Sequence, residues 1–429
     1  MENVINFFSF EDPNVRYVVL GTVLLSASAA MVGSFILLQK KALIGDAVAH
    51  SVLPGICAAF LFSGTKDIVW MLFGAFITGW LALVGIDFVT KYSKIKKDAA
   101  IGLVLSVFFG VGIVLMTYIQ QSGNAAQSGL DNFIFGKAAA LIADDLLIFS
   151  ILAMIILITI SLFFKTFTLI AFDRPFAEAI GYPVHRLDLL LTSLTVLAVV
   201  TGITAVGVVL MAAMLITPPA AARYWTDNIR HMVLISVLFG AFAGLSAAFV
   251  SYVAPAMPTG PWMVVASSGI AFFSFFLAPK RGMLPKLYRQ HANRQVIAEE
   301  NLLKRFYHLG EARSDFTGSH VEHTLIGPDN FGSTKSRSVL RRLRRKGWVT
   351  GHDKRWQLTD EGHAKAAKVV RLHRLWELYL TKYMAIAADH VHDDAETIEH
   401  ILTPELEREL EQQLGYPDRD PHDTVIPKV

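Results

Sequence analysis

Long apolar runs dominate the chain up to Pro279, and amphipathic patterning replaces them after it. A helix needs about 20 mostly apolar residues to cross the hydrocarbon core of a bilayer. Runs of that kind lie near 16–38, 48–63, 68–90, 100–119, 144–164, 187–204, 205–222, 231–253 and 261–278, which predicts nine membrane-spanning helices. The two segments around Gly202 and Gly207 are hard to separate, and 124–142 reads as a further partial helix. Beyond Pro279, residues 286–312 pattern as an amphipathic helix, and SRSVLRRLRRKGWV, 336–349, as a helix closed by Gly347. WVTGHDKRWQLT alternates like a small hairpin, and a long helix follows from Asp360 to Tyr383. Two more helices share 391–414, with Pro404 at the start of the second, before a turn-rich tail.

Composition agrees with a membrane half joined to a soluble half. The chain is 53% hydrophobic with a mean hydropathy of +0.45, above the roughly 45–50% apolar content of soluble domains. A formal net charge of +3 is too small to imply a partner by itself. The placement of the charge says more. Positive residues follow alternate spans: Lys40 and Lys41; Lys91, Lys94, Lys96 and Lys97; Lys165, Arg174 and Arg186; Arg223 and Arg230; Lys280, Arg281, Lys286 and Arg289. The loops at 63–67, 120–130 and 254–260 carry almost none, Lys66 excepted. The positive-inside rule then puts the N-terminus outside and the C-terminus in the cytoplasm of a multi-pass cell-membrane protein. Cys57 is the single cysteine, so no intramolecular disulfide is expected. The first residues lack a cleaved signal's basic start, so the first span is expected to remain as an anchor.

The most informative stretch of the membrane half is ALIGDAVAHSVLPG, 42–55. Asp46 and His50 stand four apart, so a helix puts them on one face. A carboxylate and an imidazole in an apolar segment are costly unless paired or facing water. Together they make half a site for a divalent first-row metal; alternatively, they tie helices together by a hydrogen bond. FDRPFAEAIGYPVHRLD, 172–188, is a charged short-helix segment that suits either a docking surface or a solvated loop. TPPAAARYW, 217–225, kinks or ends a span with two prolines.

GDAVAHSVLPG, FDRPFAEAIGYP, LMAAMLITPPAAARYW and PTGPWMVV occur in an order and spacing that resemble the ABC-3 family, over roughly residues 10–280. These are membrane subunits of ABC importers for manganese, zinc and iron. The resemblance implies a second permease subunit, cytoplasmic ABC ATPase subunits and an extracytoplasmic metal-binding protein. It assigns Asp46 and His50 to the metal pathway. It assigns 172–188, with Asp173, Arg174, Glu178 and Gly181, to contact with the ATPase. No GxxxxGK[ST] sequence occurs in the chain, so ATP hydrolysis is expected from a partner and not from this subunit.

The soluble half holds a second ligand-rich region. In VHDDAETIEHIL, 391–402, His392, Glu396, Glu399 and His400 share a helical face, and His373 with Glu377 forms an upstream pair four apart. An imidazole and carboxylate set without thiols favours Mn(II) or Fe(II) over structural zinc; a solvated charged face is the plainer reading. The segment from about 295 to 427 resembles the iron- and manganese-responsive repressor family. That resemblance implies a winged helix-turn-helix followed by a metal-binding and dimerisation region, with His373, Glu377, His392, Glu396, Glu399 and His400 at ligand positions. Residues 306–335 carry Gly310, Gly318 and Gly332 besides a Gly-Pro at 327–328, where that family's first helices should lie. The basic run Arg337, Arg341, Arg342, Arg344, Arg345 and Lys346 fits phosphate contact, lipid headgroup contact or a solvated face.

The expected architecture is an all-α polytopic permease over 1–280, a winged-helix-like domain over 281–365 and a helical metal-binding domain over 366–429. The expected activity is import of Mn(II), with Zn(II) or Fe(II) as alternatives, under control of a metal-sensing tail. Nucleic acid is not expected as a partner. The competing expectation is a membrane-tethered, metal-dependent transcription regulator.

Overall fold

The computed structural model describes residues 2–64, 67–121, 136, 141–254, 257–326, 333–384 and 404–428. The chain divides into two compact units, Met1–Lys286 and Leu287–Val429.

The first unit is a helical bundle. After the short α1 (Glu2–Ser9) come α2 (Pro13–Leu38), α3 (Ile44–Ser51), α4 (Leu53–Ser63), α5 (Ile68–Tyr92), α6 (Lys97–Gln121) and α7 (Ala143–Leu162). Then follow α8 (Phe164–Phe172), α9 (Arg174–Ala179), α10 (Val184–Val206), α11 (Val208–Ala222), α12 (Ile229–Val253) and α13 (Thr259–Leu277). Side-chain caps fix several starts: Asp12 accepts from Asn14 N–H at 2.9 Å, Asp67 from Val69 N–H at 2.8 Å, and Asn228 from Arg230 N–H at 2.9 Å. Among the described residues, eight helical segments are long and apolar enough to cross a membrane. The expected span at 205–222 is instead a shorter helix, α11, separated from α10 at Gly207, whose φ of 94° breaks the ladder. Most of the proposed partial helix at 124–142 lies outside the described residues.

Helix α2 is the hub of the bundle and packs most extensively on α12. Thr22 Oγ1 donates to the Gly244 carbonyl at 3.2 Å, and Ser236 Oγ to the Ala30 carbonyl at 3.1 Å. Such bonds, with small residues, bring helices together where the hydrophobic effect gives no drive. The closest approach is α2 on α11. Pro219 lacks the N–H that would bond the Leu215 carbonyl. That carbonyl lies so close to Gly33 that a Cβ there would stand 1.8 Å from its oxygen. A Cα hydrogen of Gly33 is thus the only group that fits against it.

The second unit contains α14 (Met283–Arg313, entered from the end of the first unit), β1 (His320–Val321), α15 (Glu322–Ile326), α16 (Ser333–Arg345), β2 (Val349–His352), β3 (Arg355–Leu358), α17 (Asp360–Met384) and α18 (Pro404–Leu414). The antiparallel sheet runs β1–β3–β2, which with α14 to α16 makes a winged-helix arrangement. Helix α16 ends earlier than the sequence pattern suggests. Gly347 at φ 76° reverses the chain, and Trp348 N–H bonds back to the Leu343 carbonyl at 3.0 Å, releasing Trp348 and Val349 to the hairpin. The β2–β3 turn places Asp353 and Lys354 at φ 48° and 62°, as a tight hairpin turn requires. The amphipathic helix expected over 286–312 is α14, whose last turns bury Phe306, Tyr307 and Gly310 despite the poor fit of 306–335 to the repressor pattern.

Gly33→Val is expected to destabilise the bundle by about 1–3 kcal/mol or more, because the added carbons meet backbone that cannot swing aside. The check is the thermal unfolding midpoint of detergent-purified protein; a midpoint equal to wild type would show that α2 and α11 are looser than described.

Candidate metal pathway and coupling site

Asp46 and His50 sit on α3, and α3 with α4 forms one interrupted span, Ile44–Ser63. The interruption follows from sequence. Pro54 has no N–H to offer the His50 carbonyl. Across the junction the ladder is carried by Val52 N–H to Val48 at 3.2 Å and Ile56 N–H to Val52 at 3.1 Å. The back of the span is closed: Ala47, Val48, Ala49, Val52 and Cys57 are fully buried. Its other face carries the two polar side chains, with Asp46 48% and His50 22% exposed.

The His50 Nε2 to Asp46 Oδ1 distance is 3.6 Å. That exceeds hydrogen-bond range, so neither group is consumed by the other. Two ligands each about 2.1 Å from one ion stand roughly 3.0–3.5 Å apart, so small side-chain rotations would let both reach one cation. The His50 ring meets Phe109 of α6 edge-on, centroids 5.2 Å apart, which fixes its plane. Its Nδ1 is buried and has no hydrogen-bond partner among the described residues. The chemistry available is one carboxylate and one imidazole on an open face, an incomplete shell that needs further donors.

The segment 172–188 folds as α9 and the start of α10. Asp173 caps α9, accepting from Phe176 N–H at 3.0 Å. Gly181 adopts φ 89° in the turn that follows. Arg174 is fixed from two sides, bonding Asp188 at 2.6 Å and Glu178 at 3.3 Å. Burial works against its charge, but Asp188 and then Glu178 outweigh this and hold the guanidinium above its ordinary value. Around these charges, Phe172, Phe176, Ile180 and Tyr182 are exposed. Sequence reading missed these apolar side chains; Phe172, Phe176 and Ile180 recur four apart, a signal hidden among the charges. Asp188 was missed as well. It also faces Lys41 at 3.7 Å, whose ammonium burial pushes below the usual lysine value, against the pull of Asp188.

In the second unit, His373 Nε2 and Glu377 Oε1 are 2.9 Å apart and almost wholly buried, at 9% and 2% side-chain exposure. Next to them, Arg374 binds Glu311 at 2.7 and 3.0 Å and the Val425 carbonyl at 2.6 Å, fastening the C-terminal segment. Arg371 does the same through Glu411 and the Pro427 carbonyl, each at 2.7 Å. His392, Glu396, Glu399 and His400 lie outside the described residues, and no group of three or more metal-ligating side chains occurs among those described.

The basic run is partly neutralised inside its own domain. Arg342 and Lys346 both bind the buried Glu299, at 2.9 and 2.5 Å, and Arg337 binds Glu322 at 2.7 Å. Arg341 donates to the Arg337 carbonyl at 3.4 Å. Arg344 and Arg345 are exposed and show no acidic partner among the described residues.

A bundle of membrane-length helices with a broken span that carries an acid and a histidine fits a polytopic transport subunit. The chain belongs to the ABC 3 transport family, which it matches over residues 11–278. It is accordingly a permease subunit and not itself an enzyme. Residues 359–428 match the metal binding and dimerisation domain of the iron dependent repressors. The manganese transport system membrane protein MntC of Bacillus subtilis is 40% identical over 382 residues, 89% of this chain and 87% of that protein. The zinc transport system membrane protein TroC of Treponema pallidum is 42% identical over 281 residues, 66% of this chain and 94% of that one. Among solved structures, PsaBC from Streptococcus pneumoniae in complex with Fab is similar with a TM-score of 0.60 and 32% identity, over 66% of this chain and 99% of that chain.

The ion-pair pattern predicts an asymmetry among the basic residues. Arg344→Gln with Arg345→Gln should weaken binding of the protein's soluble unit to anionic vesicles by roughly ten- to thirtyfold at low salt. Arg342→Gln with Lys346→Gln should instead lower its urea midpoint, since Glu299 is left buried and unpaired. Equal effects of the two double variants on vesicle co-sedimentation would contradict this division.

Proposed function

We infer that this subunit conducts Mn(II) across the cell membrane, with Zn(II) and Fe(II) as the alternative ions. The observation that carries the reading is the Asp46–His50 pair: side by side on one face of a broken span, 3.6 Å apart, beyond a hydrogen bond and partly exposed. A carboxylate and an imidazole together suit first-row divalent ions and discriminate weakly among them. The name of the Bacillus subtilis relative supports manganese; that of the Treponema pallidum relative supports zinc. An extracytoplasmic metal-binding protein delivers the ion. A second permease subunit supplies the remaining ligands. Cytoplasmic ABC ATPases dock on α9 and its flanks, where exposed Phe172, Phe176, Ile180 and Tyr182 offer an apolar contact beside Arg174 and Glu178. The basic loops lie on the cytoplasmic side together with the C-terminal unit, in keeping with the alternation of positive charge along the chain.

The C-terminal unit reads cytosolic metal and slows transport when loaded. His373 and Glu377 supply two ligands, and 392–400 supplies the rest. The regulator alternative draws less support. Three of its would-be phosphate-binding residues, Arg337, Arg342 and Lys346, are held by Glu322 and Glu299.

Asp46→Ala or His50→Ala is expected to reduce Mn(II) uptake by cells at least tenfold with normal membrane levels of the protein, because each removes one of few ligands. Uptake at the wild-type rate in the double variant would sink the pathway assignment. Competition by Zn(II) and Fe(II) in the same assay ranks the ions. For the tail, His373→Ala with Glu377→Ala should leave initial uptake intact but abolish its decline in vesicles preloaded with graded Mn(II). If wild-type uptake does not decline with internal Mn(II), the tail is not a transport sensor.

A further inference from the structure

Three separate segments of the first unit meet at one carboxylate. Asp188, on the second turn of α10, places Oδ2 at 2.6 Å from Arg174 Nη1 and Oδ1 at 3.7 Å from Lys41 Nζ. Arg174 opens α9, the helix that carries exposed Phe176 and is flanked by exposed Phe172 and Ile180. Lys41 lies in the connection between α2 and α3, and α3 begins three residues on at Ile44 with Asp46 in its first turn. The side chains of Asp188 and Lys41 are only 15% and 19% exposed. Screening by solvent is therefore weak, and the charge interactions exceed those of a surface pair. Lys97, at the start of α6, and Asp87, near the end of α5, act on Lys41 more weakly and with opposite signs. Glu178, the other acid on Arg174, is 57% exposed. Asp188 is thus the one shielded anion joining the two cations among the described residues.

We propose that Asp188 is a positioning residue for transport: by holding Arg174 and Lys41 on one carboxylate, it links movement of α9 to the position of the metal-bearing α3. The proposal rests on the function proposed above, in which ATPases act on α9 and the ion passes Asp46. A displacement of α9 carries Arg174, and the shared carboxylate passes it to Lys41 and so to α3 within a few residues. Without Asp188 the two cations have no common partner, and α9 can move without α3. The link is a coupling free energy between two places, so its loss separates hydrolysis from transport and need not abolish either partner's own binding.

The test uses the full permease with its cognate ATPase in liposomes, recording Mn(II) uptake and ATP hydrolysis in the same vesicles. Asp188→Asn is expected to lower uptake per ATP hydrolysed by about tenfold, within the usual range for coupling between sites. Mn(II) binding to the complex without ATP is retained, and Asp188→Glu recovers most of the ratio. Lys41→Gln, which leaves the Arg174–Asp188 bond in place, is expected to lower the ratio similarly, and the double variant no further than either alone. A wild-type ratio in Lys41→Gln, or additive losses in the double variant, overturns the proposal. Should Asp188→Asn fail to assemble, Lys41→Gln still decides the matter. Failure of the underlying reading shows separately, as undiminished uptake in Asp46→Ala.

Discussion

A backbone carbonyl deprived of its helical N–H inside a membrane costs several kcal/mol unless protein or water satisfies it. Among the described residues, this bundle interrupts its helical ladder at Val52–Pro54 and at Gly207, and inside α11 Pro218 and Pro219 withhold two more N–H donors. The Leu215 carbonyl is accommodated against Gly33, which is why α2 and α11 approach so closely. The Val52 junction is walled by fully buried Val48, Ala49 and Cys57. Because that wall closes one side, the polar pair of α3 can face only the other. The same break that weakens the helix therefore leaves Asp46 and His50, the ligands proposed above, on the open side.

Local periodicity carried the parts of the structure that depend on few residues. Asp46 and His50 share a face because four residues make about one helical turn, whatever else the chain does. Pro54 signals the break near them. The expected span nevertheless began at 48, where the helix begins at Ile44, since Gly45 and Asp46 dilute the hydropathy of the first turn. The two segments around Gly202 and Gly207 separate at Gly207 because of its backbone angle, which hydropathy does not report. Asp188 was invisible for a different reason. Its importance comes from Lys41 and Arg174, which approach it only through the fold. Likewise the basic run of α16 reads as free charge until Glu299 and Glu322 are placed beside it.

The two histidine–acid pairs show how environment divides one chemistry between two tasks. Both are spaced four apart on a helix, and both offer an imidazole and a carboxylate to the same class of ion. Asp46 and His50 stand 3.6 Å apart and remain partly exposed, so an ion can arrive without displacing an internal bond and can leave without crossing a packed core. His373 and Glu377 are 2.9 Å apart and almost fully buried, beside an arginine that fastens the C-terminal segment through Glu311 and Val425. Under the function proposed above, an ion bound there would sit among packed side chains, and its binding would reorder its surroundings. An open site suits passage and a buried one suits a response, so burial more than ligand identity is what sets the two proposed roles apart.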